Sequence, residues 1–185
     1  MKGMFISMQR KHELFEQNNL KHNEVVVSAP KKLYPQETDW TCSVACIRTM
    51  LSGITYNVPE EMEIVRQNNM KPGPYYSRDI KKLGLLDNYD VVYGCDKEKA
   101  DMDMVLDMVQ NGYYVMLECM YNYAHWMVLL GYYPLENSDI EKSELLMYDP
   151  YYDKIRLLSA DEFISMWIDG NYENTKVIRD FIAVK

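Results

Sequence analysis

From Leu33 onward the chain passes from stretches with apolar residues at helical spacing to stretches that are apolar almost continuously. Thr38, Asp39 and Thr41 are good N-cap types and precede a run that carries Val44, Ile47 and Leu51 on one face. That helix is expected to stop at Ser52-Gly53, where glycine suits a C-cap. A second is expected from Pro59, with Glu60 and Glu61 complementing the dipole in its first turn. Ser77 is the expected cap of a short third helix through Leu83, ended by Gly84. Asp101 opens a fourth, with Met102, Val105 and Val109 inward and Gly112 closing it.

After Gly112 the period changes. Tyr113 to Tyr121 and His125 to Tyr133 are apolar and partly β-branched, as buried strands are. Leu145 to Tyr148 and Lys154 to Leu158 are shorter strands, separated by the turn signal Asp149-Pro150. Ser159 with Glu162 makes a capping box for a last helix through Trp167, and Val177 to Val184 reads as the final strand. Helices first and an antiparallel sheet second is an α+β pattern, with an N-terminal helical part packed on a C-terminal sheet. Residues 1–32 are polar, charged and rich in Asn, and are expected to be an N-terminal extension or packed-down arm ahead of a domain at 33–185.

Composition narrows this picture. At 185 residues the chain fits one domain with a substantial core, and 48% apolar with 26% charged residues is ordinary for a globular protein. The net charge of −8 counts against nucleic acid or an anionic membrane as partner. There is no signal-peptide run and no stretch long enough to span a bilayer, so cytoplasmic residence without membrane insertion is expected, or release by a route that needs no cleavable signal. The four cysteines are too few for a disulfide scaffold and are expected to be reduced.

Four residues acquire chemical meaning from their positions. Cys42 lies at a predicted helix start, where unpaired N–H groups and the dipole stabilise a thiolate. His125 begins an apolar strand, an element rigid enough to present a base to a cleft, whereas His12 and His22 sit in polar sequence. Asp149 precedes Pro150, which holds it extended, and a carboxylate there can accept from an imidazole and fix its tautomer. If 126–131 and 145–148 pair as a hairpin across the polar loop 134–143, His125 and Asp149 share one end of the ladder. Gln36 precedes Cys42 by six residues, and its amide with the Cys42 N–H supplies two donors for an oxyanion. Singly, each has a plainer reading: a core cysteine, a satisfied core histidine, a turn aspartate, a solvated loop glutamine. Cys42, Cys46 and His125 lack a zinc-knuckle spacing, so no metal is expected, and Cys46, Cys95 and Cys119 read as packing residues. No phosphate loop or dinucleotide fingerprint is present.

Residues 34–46, YPQETDWTCSVAC, resemble the nucleophile segment of papain-like cysteine peptidases, in particular the branch with the double-glycine leader peptidases of bacteriocin exporters. The resemblance continues through His125-Trp-Met-Val-Leu-Leu-Gly-Tyr, Asp149-Pro-Tyr-Tyr and the pattern Ser159, Glu162, Phe163, Trp167, covering roughly residues 33–168. It implies a papain-like fold and hydrolysis of an amide bond in a peptide or protein substrate through a thioester, without metal or other cofactor. Cys42 is then the nucleophile, His125 the base, Asp149 its orienting partner and Gln36 part of the oxyanion hole. Trp40, Ser43, Trp126 and Tyr151, next to these positions, are the candidates for substrate contact. Thr41-Cys42-Ser43 replaces the Asp-Cys-Gly common in the family, and the exporter's membrane and ATPase parts have no counterpart in these residues. The same site also suits a transamidase or glutamine deamidase, and a papain-like shell also serves as a non-catalytic binding module. Oligomeric state is left open.

Overall fold

The computed structural model describes residues 26–120, 123–133, 143–168 and 179–185. They form five α-helices, α1 (Cys42–Ile54), α2 (Glu61–Gln67), α3 (Ser77–Leu83), α4 (Met102–Gln110) and α5 (Ala160–Met166). Seven strands make one sheet: β1 (Val26–Val27), β2 (Val91–Tyr93), β3 (Tyr114–Met120), β4 (Ala124–Tyr133), β5 (Glu144–Asp149), β6 (Lys154–Ser159) and β7 (Phe181–Val184). The order is β2-β7-β3-β4-β5-β6, every pairing is antiparallel, and β1 joins β4 at Tyr132 and Gly131.

Both faces of the sheet are covered. On one, Ile47 and Met50 of α1, Ile64 of α2 and Ile80 of α3 share a core with Trp126, Val128, Leu146 and Tyr148. On the other, Val105 and Val109 of α4 with Phe163 of α5 pack on Leu117, Met127, Leu129 and Met147. Alternate residues of β3, β4 and β5 therefore enter opposite cores, which is why these strands read as continuous apolar runs. None of the described helices is long and apolar enough to cross a membrane.

Several elements are closed by the local chemistry their residues signal. Asp101 accepts from Met104 N–H at 3.0 Å and Ser159 from Glu162 N–H at 3.2 Å. Gly84 ends α3 in the left-handed region at φ 65°. Three expectations need correction, and one strand, β2, is additional to those expected. The Ser77 hydroxyl does not cap α3 but accepts from Cys95 N–H, while Asp79 accepts from Tyr76 N–H. Strand β2, short and unassigned by periodicity, is held by pairing with β7. Gly53 is not the C-cap of α1, which runs on to Ile54. A Cβ there would lie 2.0 Å from Tyr114 Cζ, so glycine is required by a tertiary contact. The expected strand from Val177 begins at Phe181, and its first residues, 177–178, lie outside the described residues.

Gly53→Ala is expected to destabilise by about 1–2 kcal/mol, because the Tyr114 ring must move. In a Tyr114→Leu background the sign should reverse, since alanine is favoured over glycine in a helix by up to ~1 kcal/mol. Urea midpoints of the four proteins in that cycle check it.

Candidate active site

The N-terminus of α1 begins at the nucleophile candidate. The first helical bond runs from Ala45 N–H to the Thr41 carbonyl, so Cys42, Ser43 and Val44 have no intrahelical acceptor for their N–H groups. Cys42 is half-buried at this positive end. Thr41 does not cap the helix through its side chain; its hydroxyl accepts from Thr38 N–H at 3.1 Å and tightens the preceding turn.

Register brings the other two together. β4 pairs with β5 through Val128↔Tyr148 and with β3 through Cys119↔His125. His125 is near the start of β4 and Asp149 ends β5, and both are buried. His125 Nε2 lies 3.0 Å from Asp149 Oδ1. Cys42 lies close enough to the same imidazole to influence its protonation. Asp149 Oδ1 also accepts from Tyr151 N–H at 3.0 Å, and Oδ2 faces Arg156 Nε at 3.1 Å.

Charge follows from this geometry. Burial works against a charged imidazole, but the hydrogen bond to Asp149, then the neighbouring Cys42 and the Asp149 charge, raise His125 to about 9. Burial likewise works against the Asp149 carboxylate, yet the hydrogen bond and charge of His125, with Arg156 and the Tyr151 N–H, hold it below the usual value. Burial pushes Cys46 and Cys95 up, and Cys119 up to about 12, so these three stay thiols at neutral pH.

Gln36 reaches the site because its N–H donates to the Pro150 carbonyl at 3.0 Å, joining its loop to the turn after Asp149. Its Nε2 donates to the Thr38 carbonyl at 2.6 Å, and its Oε1 is buried without a hydrogen-bond partner. An acceptor in that state is the kind of group a bound molecule satisfies.

The four candidates for substrate contact separate. Tyr151 is exposed beside the site, its ring 6.4 Å from that of Tyr123, which meets His125 edge-on at 6.1 Å. Trp126 points to the opposite face from His125, 2% exposed in the α1-side core, its indole donating to the Tyr75 carbonyl. Trp40 is half-buried against Tyr75, and Ser43 is buried in α1. Tyr123 and Arg156 were not singled out, although parity pointed to both. Tyr123 precedes His125 by two, and Arg156 stands diagonally across the β5–β6 hairpin from Asp149, whose direct partner is Lys154. A cavity of about 320 Å³ opens on this side, walled by His125, Asp149 and Arg156 with the apolar Met127, Leu158 and Met166.

A helical part with a helix-borne cysteine at its N-terminus, set against an antiparallel sheet with His and Asp at one end, is the papain-like α+β peptidase fold. Among solved structures the chain is similar to the peptidase domain of Streptococcus ComA, a bi-functional ABC transporter involved in a quorum-sensing pathway. The two share 16% identity at a TM-score of 0.56, over 83% of this chain and 96% of that domain. No protein-family model and no curated protein matches the sequence.

The buried pair makes stability depend on pH. His125 is raised above 6.5, so its contribution is full below that value and is lost as pH rises toward about 9. Asp149 is lowered, so its contribution is full above 3.8 and is lost as pH falls through its folded value. Between those two reference values both contributions are full. The urea midpoint of wild type minus that of Asp149→Asn, followed against pH, should be largest there and shrink toward pH 9.

Proposed function

We propose that the protein is a cysteine hydrolase that cleaves a peptide or amide bond through a thioester. The observation that carries this reading is a buried imidazole whose Nε2 meets Asp149 Oδ1 at 3.0 Å and whose protonation is influenced by a helix-initiating cysteine. The Cys42 thiolate attacks the substrate carbonyl carbon. The developing oxyanion accepts from the Cys42 backbone N–H and from the second N–H of Gln36 Nε2. His125, protonated at rest, gives its proton to the leaving nitrogen, the C–N bond breaks, and the acyl thioester remains. Water then attacks the thioester and gives its proton to His125, and the thiolate leaves. Asp149 directs the Nε2 proton to itself, reserving Nδ1 for transfer.

Because His125 protonates the leaving group, that part of the substrate lies on its side, toward the cavity with Met127, Leu158 and Met166. A peptide is favoured over other amides by the likeness of the fold to a peptidase domain. An amine in place of water gives transamidation, and a glutamine side chain as substrate gives deamidation, through the same thioester.

Incubating wild type and Cys42→Ala with a proteome-derived peptide library, followed by mass spectrometry, tests the reading. New termini only with wild type support a peptidase, a gain of about one dalton at Gln makes it a deamidase, and no difference between the two leaves a binding shell and overturns the proposal. On a cleaved peptide, Gln36→Ala should lower kcat by about 10²–10³-fold and His125→Ala by about 10²–10⁴-fold. The value of kcat/KM should fall as pH rises through about 9, where His125 loses the proton it must donate.

A further inference from the structure

The segment from Tyr34 to Thr41 contains Gln36 and leads directly into Cys42, and it has no regular structure. It is nevertheless pinned at close intervals. Tyr34 N–H donates to Thr49 Oγ1 at 3.0 Å, Gln36 N–H to the Pro150 carbonyl, Glu37 N–H to Glu61 Oε1 at 2.7 Å, and Thr38 N–H to Thr41 Oγ1. Of these partners Glu61 is the least expected. Its side chain, in the first turn of α2, is 0% exposed. Its Oε2 has no hydrogen-bond partner and lies 4.0 Å from Nη1 of Arg48, which is also buried and whose other nitrogens are taken by Pro59 and Glu60. Burying a carboxylate in such a place costs stability that an apolar side chain of similar size would not. Packing alone does not account for it.

We propose that Glu61 is a positioning residue. By holding the Glu37 N–H, next to Gln36, it sets the spacing between the Gln36 amide and the Cys42 backbone N–H, the two oxyanion donors. The inference rests on the hydrolase reading above. Donors aimed at an oxyanion act only in the transition state, so misplacing them lowers kcat and leaves KM nearly unchanged. A purely structural carboxylate would lower the melting temperature and leave kcat of the folded protein alone.

Wild type, Glu61→Leu, Glu61→Gln and Glu61→Met are compared by steady-state kinetics on a peptide the wild type cleaves and by amide hydrogen exchange over residues 36–42. Glu61→Leu should lose about 10–100-fold in kcat with KM within about twofold, while exchange at Glu37, whose N–H loses its acceptor, rises by roughly tenfold or more. Glu61→Gln keeps the acceptor and should recover kcat to within about threefold of wild type. Glu61→Met should move both readouts in the same direction as Glu61→Leu. Unchanged kcat and unchanged local exchange in a folded Glu61→Leu protein overturn the proposal, as does a Gln variant no better than Leu. If Glu61→Leu does not fold, a folded Glu61→Met protein with wild-type kcat and exchange overturns it instead. The exchange measurement needs no substrate: a wild type that cleaves nothing sinks the hydrolase reading, whereas unmoved exchange at 36–42 sinks this one.

Discussion

Helix α1 is buried from Ser43 to Ser52, and its seating on β4 is the contact on which the geometry of the site depends. Ile47 and Met50 share a core with Trp126, Val128 and Leu130, and the Cys46 thiol donates to the Trp126 carbonyl at 3.3 Å. Each such apolar side chain contributes on the order of 1.5–3 kcal/mol when fully buried. A helix is stiff over one turn, so fixing Cys46 against Trp126 also fixes Cys42, one turn earlier, relative to His125. Thiol and imidazole are thus referenced to a single interface. The contact that stabilises the fold also sets the position of Cys42 relative to the imidazole.

The second constraint is electrostatic. Two groups that are charged in the resting state, His125 and Asp149, lie out of water, which is tolerable only because each meets partners. Asp149 has the imidazole, a backbone N–H and a guanidinium, so both its oxygens are engaged. Arg156 is partly exposed and its charge is correspondingly screened, which leaves His125 and the Tyr151 N–H as the main support within the core. The turn after Asp149 also supplies the Pro150 carbonyl to Gln36. One tight turn therefore holds the carboxylate in place and fastens the loop that leads to Cys42.

Local chemistry explains most element boundaries. The acceptors at Asp101 and Ser159 and the left-handed Gly84 act within a few residues, so residue type alone reveals them. Gly53 misleads because the reason for glycine lies on Tyr114, in a strand that packs against the helix. β2 escapes notice because three residues carry too little periodicity, and the pairing that holds it comes from β7 at the far end of the chain. Trp126 follows His125 in sequence, but successive strand residues face opposite ways, and both faces are buried here. A continuous apolar run therefore cannot tell which face carries the cleft.

The sequence by itself determined the order and kind of the helices and of the longer strands, and it singled out Cys42, His125, Asp149 and Gln36 as residues whose chemistry suits their local setting. These properties depend on side-chain type, hydrophobic period and capping, all of which act over a single turn or strand. The tertiary structure alone decided which side of the sheet His125 faces, that Arg156 and not Lys154 meets Asp149, and that Trp126 lies in the core. It also decided that Glu61 holds the loop entering α1. Each of these rests on register or on packing between distant segments, where one residue of slip reverses the outcome.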